Sequence, residues 1–385
     1  MKFHGTVAVL GAFLFRPQGV MASICQDFIV PVDISAVNSV FDFALPTSSI
    51  DVTNLMINLS RQGSYYPSTI TSNTTSLSGI FKIAVTYCRP NRGHSDTIQV
   101  LTHGISFDRS YWDYPFHGGN YSYMKTAVDD NGFSTLAWDR FGIGNSQHAD
   151  PLATVQSPLE LAALKALTEI LRSGSFGPLP SFSKVVHVGH SFGSILSYGL
   201  ARDNPELSDG LVLTGFSQNG SFIPLFFAGS NMIPVSTSLR AGQYEAGYLM
   251  TGAPMGHHIT QFGPGDFDPT ILDYVYKTAQ PVAVGELLTL GQPMVGLNKF
   301  AGPVLIITGE RDAAFCGSDC RATGDPSLPS IPDACRANMP DANPFEAIIV
   351  PKAGHALNLG YSHDFTYKAI NEFLTTNVPS AVRMV

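Results

Sequence analysis

One stretch constrains this chain more than any other. An apolar, β-branched run, Val185-Val-His-Val188, enters Gly189-His-Ser-Phe-Gly193 and leaves as the helix-prone Ser194-Ile-Leu-Ser-Tyr-Gly-Leu-Ala-Arg202. In a Gly-x-Ser-x-Gly turn, the two glycines give neighbouring backbones room to approach, and the serine sits on a tight strand-to-helix bend with its hydroxyl exposed. The helix N-terminus behind it favours developing negative charge. The pentapeptide alone is weak evidence in a chain with 36 glycines, so the strand before it and the helix after it carry the inference.

The rest of the chain has the same rhythm from residue 80 onward. Strands are expected at 81–87, 97–102, 134–138, 184–188, 210–214, 304–308 and 347–350, with helices between them, notably 158–173 and 364–375. The first of these helices carries Leu159, Leu161, Ala162, Leu164, Leu167, Ile170 and Leu171 at helical spacing. Such alternation describes a mostly parallel sheet covered by helices. Residues 216–298 break the rhythm with Gly, Pro, Met and aromatics. They read as an inserted lid, between a first core part, 23–215, and a second, 299–385. Most of the aromatics in that block must in any case pack it onto the main domain. The sequence has no internal repeat.

A serine hydroxyl is a poor nucleophile until a base takes its proton, and the base needs an orienting acid. Both types follow the elbow. Val304-Leu-Ile-Ile-Thr308 runs into Gly309-Glu-Arg-Asp312, and Ala347-Ile-Ile-Val350 runs into Pro351-Lys-Ala-Gly-His355. Ser191 is therefore the candidate nucleophile and His355 the candidate base. Asp312 is the preferred acid, because the strand ends near Gly309 and the loop must turn back toward the histidine. Glu310 remains the alternative. His103, His187 and His190 precede the acid and are assigned structural or pocket-lining roles. The oxyanion of a tetrahedral intermediate needs preorganised N–H donors. Phe192, directly after the serine, is one candidate, and Ile105, in the loop after 97–102, is the other. Gly104 would let that loop approach the substrate, and His103 would brace it.

These motifs resemble the α/β-hydrolase superfamily, in the lid-bearing group of esterases, lipases and proline aminopeptidases, and are most similar to secreted fungal members. The resemblance rests on His103-Gly104, Asp139-Arg-Phe-Gly-Ile-Gly-Asn-Ser146, Gly189-His-Ser-Phe-Gly193, Gly309-Glu-Arg-Asp312 and Gly354-His355, and covers roughly residues 80–375. It implies a mostly parallel eight-stranded α/β-hydrolase sheet with helices on both faces, and acyl chemistry on Ser191. Epoxide hydrolases and haloalkane dehalogenases of this fold carry Asp at the elbow, which Ser191 argues against. Two stretches depart from the pattern: an extension over residues 23–80, and a Cys- and Pro-rich stretch, 313–344, between acid and base.

Residues 1–22 read as a secretory leader, with Lys2, an apolar run from Thr6 to Phe15, and Val20-Met-Ala22 before an expected cleavage. An uncleaved anchor or a buried strand is the alternative. The apolar run is too short to span a bilayer. Export would make Asn58, Asn73, Asn120 and Asn219 glycan acceptors. It would also place all five cysteines in an oxidising compartment, where Cys25–Cys88 and one bridge among Cys316, Cys320 and Cys335 are expected. Cys316-x3-Cys320 lacks the partners of a zinc site. Loss of the leader takes the formal charge from −8 to −10, which argues against nucleic acid or an anionic membrane as partner. No phosphate loop, zinc-protease helix or dinucleotide fingerprint is present, so no cofactor or metal is expected.

The leading expectation is a secreted hydrolase of a carboxylic ester, lactone or thioester, acting on a neutral or hydrophobic small molecule. A peptidase, acyl transferase or cyclase with the same triad is a second reading, and a binding protein without turnover a third. An aminopeptidase would need free carboxylates in the lid, where Glu245, Asp266, Asp268 and Glu286 are the candidates.

Overall fold

The β-branched runs pair into one eight-stranded sheet. A computed structural model describes residues 23–383 except Ser64 and Arg92; the expected leader and its cleavage point lie outside the described residues. The strands are β1 (Ser23–Phe41), β2 (Thr71–Pro90), β3 (Thr97–Thr102), β4 (Ser134–Trp138), β5 (Lys184–His190), β6 (Gly210–Thr214), β7 (Val304–Gly309) and β8 (Phe345–Val350). Their spatial order is β1-β2-β4-β3-β5-β6-β7-β8. The β1–β2 and β2–β4 pairs are antiparallel, and every pair from β4 to β8 is parallel.

Both faces of the sheet are covered. Leu211 and Leu213 of β6 join a core with helix Ser157–Ser173 and the helix after the elbow, Phe192–Asp203. Val212, between them, points into a second core with helix His363–Asn377. This alternation across a sheet buried on both faces is why its strands read as near-continuous apolar runs. Among the described residues, no helix is long and apolar enough to cross a membrane.

The order reverses at β3, whose neighbours are β4 on one side and β5 on the other. Open α/β sheets bind ligands outside the carboxyl ends of strands at such a switch point. Register places Thr102 of β3 opposite Gly189 of β5, so the loops carrying Ile105 and Ser191 leave the sheet side by side.

Three features differ from expectation. Residues 23–80 are not an extension ahead of the sheet: β1 is its edge strand, paired residue by residue with a β2 that begins ten positions before the expected start at 81. Alternation of buried Val30, Val32 and Ile34 with exposed Pro31 and Asp33 is the period-2 signal for β1. Between β1 and β2, helix Ser49–Leu59 is closed at its N-terminus by a capping box of Ser48 and Asp51. Finally, residues 216–298 have order of their own. They hold helices Ile223–Ser230, Pro254–Gln261, Pro269–Thr278 and Val284–Thr289, and a small sheet of Met232–Pro234, Tyr248–Thr251 and Val282–Ala283.

Cys25 and Cys88, direct partners across β1 and β2, form one disulfide, and Cys316–Cys320 forms a second. Cys335 is buried and unpaired, and burial pushes its thiol up to about 12. Two disulfides fit an oxidising compartment. Of the four sequon asparagines, Asn73 and Asn120 are exposed, and Asn58 and Asn219 are half-buried.

Candidate active site

Ser191 follows β5 directly and is the cap of the next helix, with φ 54° and ψ −117°, a region that L-residues rarely occupy. The bend depends on Gly193: a Cβ there would meet the Thr102 carbonyl oxygen at 2.1 Å. The serine N–H donates to the Thr214 carbonyl at 2.9 Å, anchoring the elbow to β6.

His355 and Asp312 leave the ends of β8 and β7. The Ser191 hydroxyl lies 2.8 Å from Nε2 of His355, and Nδ1 of the same ring lies 2.8 Å from Oδ2 of Asp312. Both His355 and Asp312 are buried. Asp312 also accepts from the Thr308 hydroxyl at 2.6 Å and from the Phe315 N–H at 3.0 Å. Burial alone would raise its pKa, but the charge and hydrogen bond of His355, with the Thr308 and Phe315 donors, hold it below the ordinary carboxylate value. Glu310 turns the other way: it is half-exposed, accepts from the Lys352 N–H at 2.9 Å and faces Arg321 at 4.0 Å.

This geometry is that of a serine–histidine–carboxylate relay built at the carboxyl ends of three parallel strands. The family model described as "Alpha/beta hydrolase family" matches residues 99–366, which include all three side chains. The chain belongs to the alpha/beta hydrolase family. Among solved structures, a thermophilic esterase from Thermogutta terrifontis with bound malate is similar at 17% identity and a TM-score of 0.53, over 77% of this chain and 94% of that one. An epoxide hydrolase from Vigna radiata is similar at 16% identity and a TM-score of 0.48, over 77% of this chain and 95% of that one. At 17% identity the likeness to the esterase is one of fold. No curated protein matches the sequence.

In this alpha/beta hydrolase the two expected oxyanion donors flank the serine. Phe192 is the first residue of the helix, so its N–H has no partner within the helix. Ile105 lines the same small cavity as Ser191. The loop that carries Ile105 passes so close that a Cβ on Gly104 would stand 2.8 Å from the Ser191 Cβ.

His103, His187 and His190 are buried in structural contacts. Nε2 of His103 accepts from the Arg140 N–H at 3.0 Å, and its Nδ1 lies 2.9 Å from the Gly104 carbonyl, which fixes the turn before Ile105. Burial, with Arg140 nearby, holds His103 well below the usual imidazole value and therefore neutral. His187 bridges Thr168 and Ser208. His190 stacks on Tyr111 with ring centroids 4.4 Å apart, beneath His355.

Several neighbours of the site carry no sequence signature. Thr308 and the Phe315 N–H hold the acid, and the rings of Phe226 and Phe315 stand 6.2 and 5.8 Å from that of His355. Only Thr308, four residues before Asp312 at a strand end, offers even a positional hint. Among the described residues, no group of three or more His, Cys, Asp or Glu side chains is placed to hold a metal ion.

Proposed function

We propose that this alpha/beta hydrolase is a serine hydrolase that cleaves a carboxylic ester, lactone or thioester of a neutral or hydrophobic small molecule through an acyl-enzyme on Ser191. The unbroken hydrogen-bond relay from the Ser191 hydroxyl through His355 to Asp312 carries this reading. His355 Nε2 takes the hydroxyl proton as Ser191 Oγ attacks the acyl carbonyl. Asp312 stabilises the imidazolium, and the N–H groups of Phe192 and Ile105 receive the oxyanion. Collapse of the intermediate passes the proton from His355 to the leaving group. Water, activated by the same ring, then frees the acid and restores the serine.

The residues between β6 and β7 act as a lid in this reading, because Ile223, Phe226 and Phe227 line the cavity at Ser191 and shield it from water. Their apolar character favours a neutral substrate over a peptide amine. Of the carboxylates available to bind an ammonium group, Glu286 is consumed by Arg140, Asp266 by Ser362, Asp268 by Thr270 and His117, and Asp273 by Lys277. Glu245 lies on the surface. The two disulfides support export and, with it, glycans at Asn58, Asn73, Asn120 and Asn219.

A fluorophosphonate probe is expected to label wild type and not Ser191→Ala, and Ser191→Ala is expected to lose ester turnover by about 10³-fold or more with its fold intact. Equal labelling of the two proteins would overturn the assignment.

A further inference from the structure

The cavity that touches Ser191 is only about 20 Å³, room for about one water. An acyl group of more than a few atoms must therefore run on past its walls. Directly behind lies a second cavity of about 250 Å³, and Ile195, Ile223, Phe227, Leu290 and Phe315 line both. The two spaces thus share apolar walls.

The far wall of the second cavity comes from an unexpected part of the chain. Leu59, Tyr65, Tyr66 and Pro67, all between β1 and β2, close one side, and Met294 lies among its other walls. No residue lining this cavity carries a charge, so a charged acyl group would lose its hydration without an ionic partner. A third cavity, of about 540 Å³, lies between helix Ser49–Leu59 and helix Ile223–Ser230, and it is more polar, with Arg61, Asn58 and Asn231 at its edge. Phe227 borders all three spaces.

We propose that the acyl part of the substrate is a flexible aliphatic chain that runs from Ser191 between Ile223 and Leu290 into the 250 Å³ cavity, that Leu59, Tyr65, Tyr66 and Pro67 form its end wall, and that Phe227 sets the length accepted. This rests on the acyl-enzyme reading of Ser191. A methylene moved from water into such a pocket contributes by hydrophobic burial alone, so the preference is read as a chain-length profile. Loss of the Phe227 ring would join the second cavity to the third and lengthen the accepted chain. A larger side chain at position 294 would fill the second cavity and shorten it.

The test uses the full-length protein and a series of p-nitrophenyl esters from acetyl to dodecanoyl. In wild type, kcat/KM is expected to rise by about tenfold or more from the acetyl to the best medium-chain ester. Phe227→Ala should move the optimum to longer chains, and Met294→Trp should move it to shorter ones. Fluorophosphonate labelling certifies that each variant keeps a working serine, and the wild-type profile is decisive without any variant. A wild-type profile that is flat or peaks at acetyl, with labelling intact, overturns the aliphatic pocket and leaves the serine hydrolase standing. So do variant profiles that superimpose on that of wild type. Absence of both labelling and turnover in wild type overturns the serine reading, and this proposal with it.

Discussion

Asp312 and Glu310 lie two residues apart in one loop, and their surroundings separate them. Asp312 is buried, with His355, Thr308 and the Phe315 N–H around its oxygens, while Glu310 is half-exposed beside Lys352 and Arg321. Asp312→Asn is expected to lower kcat by about 10³- to 10⁴-fold with little change in Tm, because the amide favours the wrong imidazole tautomer. Glu310→Gln should stay within about twofold of wild type in the same ester assay. A second carboxyl, Asp139, bonds to Arg109 and to the Asn145 N–H, yet burial, the larger influence, pushes its pKa up to about 6. A carboxyl with a raised folded-state pKa holds its proton more tightly folded than unfolded. Its contribution is fully present below the ordinary value near pH 4 and is lost as pH rises through about 6, on the order of 3 kcal/mol in total. Unfolding free energies of wild type and Asp139→Asn, measured in urea from pH 4 to 7, should therefore diverge across that window, with the wild type losing more stability than the variant as pH rises.

At the scale of elements, the most telling contact joins three pieces of chain that are distant in sequence. Arg140, after β4, reaches Glu160 of helix Ser157–Ser173 at 2.7 Å and also Glu286 of helix Val284–Thr289, all without exposure to solvent. The same guanidinium lies 4.6 Å from the centroid of the Phe192 ring, directly after the elbow serine. Burial first, and the second carboxylate Glu286, push Glu160 well above its ordinary value, against the pull of Arg140. Removing the cation leaves two carboxyl groups buried without compensation. Arg140→Met is expected to lose about 3 to 5 kcal/mol in chemical denaturation. Replacing all three groups with apolar residues of matched volume should recover most of that loss; a triple variant no more stable than Arg140→Met would show that the ion cluster is not the cause.

At the scale of the whole molecule, the long β1–β2 ribbon is stapled at one end by Cys25–Cys88, whose partners are 63 residues apart. A loop of that size restricts the unfolded chain by about 4 kcal/mol, whereas the bridge between Cys316 and Cys320 encloses too little chain to contribute comparably. The Cys25→Ala/Cys88→Ala double variant should thus show a lower Tm than the Cys316→Ala/Cys320→Ala variant in calorimetry. Much of this molecule was legible without coordinates, for a local reason. Strand–turn–helix patterns are set by residues within a few positions of one another, so β3, β4 and β6 and the turn at Gly189–Gly193 stand where hydrophobic period and glycine spacing put them. The order of serine, acid and histidine along the chain is likewise a property of the sequence. The strand at Ser23–Phe41 was harder to read, because one face is solvated and its alternation is diluted by polar residues. Asp312 was already preferred from the sequence and does contact His355, but which apolar side chains cover Ser191, and that Leu59, Tyr65, Tyr66 and Pro67 line a cavity behind it, were decided by tertiary structure alone. Each depends on residues thirty or more positions apart in sequence being brought together in the fold, and no local pattern records that.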